Sequence, residues 1–389
     1  MGRVGCPELP GASREGGPQA GPRGFQGTLR SGALPALWPP MQFPFLDALA
    51  GGGFEQVVAV HDRRSGLRAL LAVHDTSVGP AFGGVRRRSY RDEPEALRDA
   101  LRLARAMTHK CVLLDLPAGG AKVVVVDDPD LDLQGAYQHL GEVVEGLGGR
   151  YYTGPDLGTG ERELGWMAER TGFVTRPDEA GPGLLPEATA EGVFAGIGAA
   201  LRHLDGEEDW EQRRVVVQGL GAVGRRLASR LLGVGARVVG VDTDSRIAEA
   251  AREELGLELI EPGSELERSC DVLAPCALGG LLHDLSVPRL SCRVVAGAAN
   301  NVLASLEHAD AMQARGILHA PDFVVNSGAL LRGALFHLEG RREPLEDIGR
   351  RVGETLGRVL EESLSTGRAP MRVALEEAEA RLAHRRETS

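Results

Sequence analysis

Lysine is almost absent from this chain. Of 44 basic residues only Lys110 and Lys122 are lysines; the rest are arginines. The two types serve almost equally on a solvated surface, but only a buried Lys is readily neutral near physiological pH, so a Lys-poor chain that keeps Lys points to proton transfer. Chance survival under a compositional bias is the plainer reading of the count alone. Aromatic residues make up 4%, the net charge is −11 and the isoelectric point is near 5.5. That balance argues against nucleic acid or an anionic membrane and for a small-molecule or protein partner. The five cysteines are odd in number and lack CxxC or zinc spacing, which excludes a disulfide framework and a zinc site and fits reduced thiols in a cytoplasm. No apolar run approaches the roughly 18 residues of a membrane span. The start, Met1 to Cys6, lacks the Ser or Thr of a myristoylation signal. No repeat period suggests a solenoid.

With 389 residues, 42% apolar and 25% charged, the chain reads as a soluble globular protein of roughly two domains. Residues 1–40 hold nine Gly and seven Pro without hydrophobic periodicity, which predicts a disordered leader, with Met41 opening the structured protein. A transit peptide is a weaker alternative. Gln56–His61 and Leu67–His74 read as strands joined by the turn Asp62–Gly66. A helix is expected over Glu93–Met107, then a strand over Leu113–Pro117, a small-residue loop Ala118–Ala121, and a strand over Val123–Val126. Another helix is expected over Leu133–Leu147. Gly181-Pro182-Gly183 reads as a hinge. Beyond it come a helix (Ala190–Leu204), the strand Arg214–Gln218, and apolar strands alternating with amphipathic helices, the signature of a parallel sheet covered on both faces. Two charged helices, Leu345–Leu360 and Met371–Leu382, end the chain.

Gly219-Leu220-Gly221-Ala222-Val223-Gly224 fits GxGxxG, a weak signal alone. Here a valine strand leads in, a helix from Arg225 to Leu232 leads out, and a second strand, Arg237–Val241, ends at Asp242. The first glycine permits the tight turn, the second lets the backbone approach a pyrophosphate, and the third lets helix and strand pack closely. The helix N-terminus then receives the phosphate charge. A carboxylate at Asp242 would bond the adenosine ribose hydroxyls and repel a 2′-phosphate, favouring NAD over NADP.

Two ammonium groups near one pocket depress at least one pKa, which makes one of Lys110 and Lys122 a credible general base and leaves the other to hold a carboxylate. Asp156 sits in the glycine-rich Tyr151–Gly160 stretch, where a plain turn Asp is the blander reading. Seven motifs then stand in order: Val73–Thr76 with Gly79–Arg86; Leu103–Lys110; Gly119-Gly120-Ala121-Lys122; Gly154–Thr159; Ala274–Gly279; Gly297–Asn301; and Ala320–Gly328. On these the chain resembles the amino acid dehydrogenases of the glutamate, leucine, phenylalanine and valine dehydrogenase superfamily, most like the leucine and phenylalanine enzymes, from about Phe54 to Leu382.

The resemblance implies an α/β protein: an N-terminal substrate-binding and oligomerisation domain (41–183), a Rossmann NAD-binding domain (184–340), and C-terminal helices (341–389) packing back on the first domain. It implies reversible oxidative deamination to a 2-oxo acid and ammonia, NAD as cofactor, no metal, and a homo-oligomer. Lys122 would be the catalytic base, Asp156 would exchange a proton with the substrate nitrogen, and Lys110 would bind the α-carboxylate. Asn301 would orient substrate and nicotinamide, and Thr189, Cys276 and Asn300 would adjoin the cofactor beside the Gly219–Arg225 turn and Asp242. The chain departs from the leucine dehydrogenase pattern at Pro186-Glu187-Ala188, where Ser-Pro-Val is usual, and at Glu191, where an aromatic residue is common. Glutamate dehydrogenases carry a Lys where this chain has Phe82, before Gly83, so a side-chain carboxylate would lack its partner. The pairing of Gly154 with Leu330 resembles phenylalanine dehydrogenases, and Gly333 falls where leucine dehydrogenases carry Val; the small Gly154 and Gly333 make room for a ring, while Phe82 acts as a wall or stacking partner. A large apolar or aromatic amino acid is expected, phenylalanine ahead of leucine, with a branched-chain enzyme or a non-catalytic NAD-binding regulator as alternatives. A hydroxy acid or methylene-folate dehydrogenase would account for the Rossmann half but not for the lysines.

Overall fold

The computed structural model describes residues 45–388, apart from positions 177, 179, 180, 212 and 278. The expected leader, residues 1–40, and Met41 lie outside the described residues. Helix α1 (Phe45–Gly52) leads into β1 (Gln56–Asp62) and β2 (Leu67–Asp75), an antiparallel pair joined by the expected turn. β3 (Ala81–Arg88), α2 (Glu93–Leu113), β4 (Gly119–Val126), α3 (Leu133–Glu145), β5 (Tyr151–Gly154) and α4 (Glu161–Ala168) complete the first half. Its sheet runs β1-β2-β4-β3-β5, with β3 parallel to β4 and β5. The central strand β4 is apolar through Val123, Val124 and Val125 because both faces are covered. Tyr137, Leu140, Leu164 and Met167 pack on one face, and Ala96, Ala100 and Ala104 of α2 on the other.

The second half contains α5 (Leu185–Asp205), β6 (Arg214–Gln218), α6 (Ala222–Gly233), β7 (Arg237–Val241), α7 (Ser245–Leu255), β8 (Glu258–Leu259), β9 (Cys270–Pro275), β10 (Cys292–Val295), α8 (Glu307–Ala314) and β11 (Leu318–His319). These strands form one parallel sheet in the order β11-β10-β9-β6-β7-β8. The chain's direction of progress reverses between β6 and β9, which opens a crevice at the carboxyl ends of those strands. α9 (Asp322–Val325), α10 (Gly328–Glu339), α11 (Leu345–Thr366) and α12 (Pro370–Thr388) follow. α11 lies along α5, and α12 crosses back to the first half, where Glu379 meets Arg105 and Arg381 meets Asp115. No helix among the described residues is long and apolar enough to cross a membrane.

The stretch around the lysines differs from expectation. The strand expected over Leu113–Pro117 is absent: α2 continues past Met107 to Leu113, and the chain then turns through Asp115, whose φ is +51°. Periodicity cannot identify a short, buried apolar run, and Leu113, Leu114 and Leu116 of that stretch are all buried. Ala118 to Ala121 is not a loop either, since Gly119, Gly120 and Ala121 already belong to β4. Glycine is needed there because α2 lies directly on the strand: a Cβ at Gly120 would sit 2.2 Å from the Thr108 nitrogen and 2.5 Å from the Ala104 oxygen. This close approach carries Lys110 on α2 beside Lys122 on β4. The helix is started by Asp92, whose carboxylate accepts from the Glu95 N–H at 2.7 Å. α5 likewise begins five residues before the expected Ala190, with Pro186 in its first turn.

Gly120→Ala is therefore expected to cost about 1–3 kcal/mol of stability. Gly165→Ala, whose Cβ meets nothing within 4 Å, serves as a control that should cost none. Urea unfolding of both variants checks this, and equal midpoints would contradict the packing argument.

Candidate active site

Lys122 points from β4 to the turn after β5, where its Nζ lies 2.7 Å from Asp156 Oδ2. That turn is closed by the Thr159 N–H donating to the Asp156 carbonyl at 2.9 Å and by Gly158 at φ +74°. Asp156 is also held by Arg86, whose Nε donates to Oδ2 at 3.0 Å and Nη2 to Oδ1 at 3.4 Å. Burial alone would raise the Asp156 carboxyl, but Lys122 and Arg86 outweigh it and hold it well below the usual carboxylate range. The group is an anion at any working pH.

Lys110 is buried at the other side of the cluster. Its Nζ donates to Asn326 Oδ1 at 2.7 Å and to Asn300 Oδ1 at 3.4 Å, and Asn326 Nδ2 donates to Asn300 Oδ1 at 2.8 Å. Both asparagines come from the second half, so Lys110 ties the two sheets together. Burial pushes its pKa down to about 8; Asp322 opposes this and Lys122 adds to it. Asn301 holds φ +54°, an uncommon conformation for a side-chain-bearing residue, with the Gly279 backbone packed beneath it.

Two cavities meet at Met107, Lys122 and Asn300. The larger, about 700 Å³, takes in Lys110, Arg86 and Asn301. The smaller, about 140 Å³, is lined by Phe82, Gly83, Tyr152, Gly154, Leu330 and Gly333 among others, so the substrate residues expected from the sequence divide between these adjoining spaces. Phe82 stacks on Tyr152 at 5.1 Å, and Tyr152 lies 4.5 Å from the His337 ring. Part of the room expected at the two glycines is taken: a Cβ at Gly154 would lie 3.4 Å from Thr175 Cβ, and one at Gly333 would lie 3.0 Å from Thr175 Cγ2. Thr175 is fixed by a 3.0 Å hydrogen bond between its Oγ1 and His337 Nε2. A wider groove of about 1290 Å³ between α5 and α11 holds none of these residues.

At the crevice of the parallel sheet, each glycine of the GxGxxG turn has a distinct geometry. Gly219 holds φ +92°, Gly221 faces open space where a Cβ would meet nothing, and a Cβ at Gly224 would sit 1.8 Å from the Gly219 oxygen. Asp242, at the end of β7, accepts from the Leu220 N–H at 2.8 Å and from the Asp244 N–H at 2.9 Å, so it braces the turn. Exposed Ala222 and half-buried Val223 open α6, while the Leu220 side chain is buried in the core. Arg225 is turned away to Glu254 at 3.0 Å. Cys276 sits behind the turn, its N–H on the Gln218 carbonyl and its thiol pushed up to about 12 by burial. The Thr189 hydroxyl donates to Leu185 O, within its own helix. The unusual Glu187 and Glu191 pair with Arg226 and Arg230 and tie α5 to α6. The clear space at Gly221, the free helix N-terminus and the carboxylate at Asp242 fit a dinucleotide.

A parallel sheet with such a turn at its switch point, facing buried lysines and a carboxylate, is the layout of a nicotinamide-dependent dehydrogenase. Residues 54–172 match the model of the Glu/Leu/Phe/Val dehydrogenase dimerisation domain, and residues 181–248 and 242–335 match that of Glutamate/Leucine/Phenylalanine/Valine dehydrogenase. The chain is 38% identical to leucine dehydrogenase of Bacillus cereus over 333 residues, 85% of this chain and 91% of that protein. It is 37% identical to phenylalanine dehydrogenase of Thermoactinomyces intermedius, over 83% and 91%. The crystal structure of L-tryptophan dehydrogenase from Nostoc punctiforme superposes with a TM-score of 0.74 at 31% identity, covering 88% of this chain and 99% of that one. The chain belongs to the Glu/Leu/Phe/Val dehydrogenase family and is an NAD-dependent amino acid dehydrogenase.

Sequence reasoning missed Arg86, Asn326, Thr175 and His337. Arg86 and Asn326 lie inside motifs already quoted, and strand alternation from Phe82 through Gly84 puts Arg86 on the same face of β3. Thr175 and His337 carry no local signal.

Gly221→Ala is expected to leave the unfolding midpoint unchanged but to weaken NADH binding at least about tenfold, since the methyl group occupies the phosphate approach. Fluorescence titration with NADH measures this, and unchanged affinity would remove Gly221 from the cofactor site.

Proposed function

We propose that this protein deaminates a large apolar or aromatic L-amino acid, with phenylalanine ahead of leucine, to its 2-oxo acid. The observation that carries this reading is the pairing of Lys122 with Asp156 at the mouth of a cavity whose far wall is Phe82, Tyr152 and Leu330. Among the described residues that line this cavity, Lys122 is the only cation, and Asp156 already holds it. A glutamate side chain would leave its carboxylate buried without a counter-ion.

Lys110 Nζ, released from Asn326, binds the substrate α-carboxylate by a charge-assisted hydrogen bond. Asp156 holds the substrate nitrogen. Lys122 Nζ takes the proton of the attacking water, and Asp156 Oδ2, 2.7 Å away, is the counter-ion of the ammonium that forms. Asn301 orients the amide end of the nicotinamide and the substrate. NAD, when bound through the Gly219–Gly224 turn and Asp242, supplies the hydride-accepting chemistry. We place the division between the substrate and nucleotide domains at Gly183, whose φ of +83° suits a hinge. Closing the cleft there excludes bulk water and strengthens each charge interaction inside it. A homo-oligomer in a cytoplasmic setting completes the reading.

Reductive amination with NADH, ammonia and a panel of 2-oxo acids tests it: phenylpyruvate and 4-methyl-2-oxopentanoate should turn over, and 2-oxoglutarate should be the poorest. A preference for 2-oxoglutarate would overturn the pocket argument. Lys122→Arg should abolish turnover with the fold intact, because a guanidinium cannot act as a base. Because Lys110 loses its charge as pH rises through about 8, kcat/KM for the 2-oxo acid should fall above that pH, and Lys110→Arg should remove this alkaline limb. Persistence of the limb in that variant would assign it to another group.

A further inference from the structure

The Asp156 carboxylate is gripped from behind by a residue to which the proposed reaction gives no part. Arg86, near the end of β3, is only 11% exposed and forks onto Asp156 through Nε and Nη2. Its third nitrogen, Nη1, reaches Asp99 Oδ2 at 3.5 Å. Asp99 is anchored on α2, where it accepts from Tyr90 Oη at 2.8 Å and Arg102 Nη2 at 2.6 Å. Arg86 is thus set from both sides, by an anchored carboxylate and by the reacting one.

An ionised carboxylate oxygen offers about two lone-pair sites. Oδ2 of Asp156 already faces both Arg86 Nε at 3.0 Å and Lys122 Nζ at 2.7 Å. Oδ1 faces Arg86 Nη2 at 3.4 Å, and among the described residues no other donor takes its second site. We infer that Arg86 is a positioning residue for deamination, which fixes the plane of Asp156 so that the second site on Oδ1 meets the substrate nitrogen while Oδ2 stays on Lys122. The inference rests on Lys122 and Asp156 being the reacting pair. A guanidinium suits this task because its planar fork holds a carboxylate in one orientation, whereas an ammonium fixes only a distance.

The charge of Arg86 also matters to the reacting pair. Arg86 from β3 and Lys110 from α2 are the charged groups that act on the pair; Asp99, with Arg102 and the Tyr90 phenol on it, backs Arg86, and Asp322 from α9 acts on Lys110. Arg86 helps to hold the Asp156 carboxyl down, so losing its positive charge favours retention of a proton beside that carboxylate. Deamination requires the pair free to accept the proton of water. The acid limb of kcat therefore moves to higher pH when the charge is removed.

The test uses full-length Arg86→Gln and Arg86→Lys with NAD and the preferred amino acid. Arg86→Gln should lower kcat about 100-fold, as expected for misplacement by about 1 Å. It should change the amino acid KM far less, and shift the acid limb upward by about one pH unit. Arg86→Lys keeps the charge without the fork, so the limb should return to its wild-type position while kcat recovers only in part. An arginine that merely stabilises the fold would lower the unfolding midpoint and leave kcat per folded molecule and the limb unmoved, and that result overturns the inference. Should Arg86→Gln fail to fold, Arg86→Lys decides: wild-type kcat in that variant refutes the positioning role. Lys122→Arg and Asp156→Asn run alongside; if they retain activity, the reacting-pair reading fails, whereas if they lose it and the Arg86 variants do not, only the inference on Arg86 fails.

Discussion

Taking an ammonium group out of water is costly, and this fold does so twice within a single helix–strand contact. The contact of α2 with β4 through Gly120 is close enough to leave no room for a methyl group, and it brings Lys110 and Lys122 to the same site. Charge buried this way persists only when it is paired. Asp156 answers Lys122, and Asn326 and Asn300 with nearby Asp322 answer Lys110. Much of the remaining architecture keeps these partners in reach: β5 ends two residues before Asp156, the loop after β10 delivers Asn300, and the end of α9 delivers Asn326.

This arrangement also makes the two halves interdependent. Lys110 belongs to α2 of the first half and its hydrogen-bond acceptors to the second half, so one buried ammonium is a latch between them. A carboxylate competing for Lys110 would loosen its hold on Asn326 and Asn300. α12 reinforces the join from outside, with Glu379 on Arg105 and Arg386 on Asp75.

Much of this was legible in the amino-acid order. β6 and β7 have the bounds that their apolar runs and flanking charges announce, and the three glycines of the nucleotide turn each show the geometry that their spacing implies. The scarcity of lysine singled out two residues that the fold buries beside one cavity. What could not be read was decided by packing over long distances. The turn after α2 reads as a strand because Leu113, Leu114 and Leu116 are all buried, and a short buried apolar run leaves no periodic trace. Thr175 takes up space beside Gly154 and Gly333 only because residues far apart in sequence converge there, and His337 acts through Thr175 without lining the cavity. Arg86 lay in a quoted motif, yet its grip on Asp156 depends on a 70-residue separation.

The central claim, that both lysines are withdrawn from solvent into one electrostatic cluster, is open to direct measurement because the chain has only two. Protein labelled with [ε-¹³C]lysine should give two side-chain resonances, assigned with Lys110→Arg and followed by NMR as pH is raised. The account predicts that the Lys110 resonance titrates at about 8 and that both signals shift when NADH and the 2-oxo acid are added. Two resonances that titrate together near the free-lysine value of about 10.4 and ignore the ligands would contradict it.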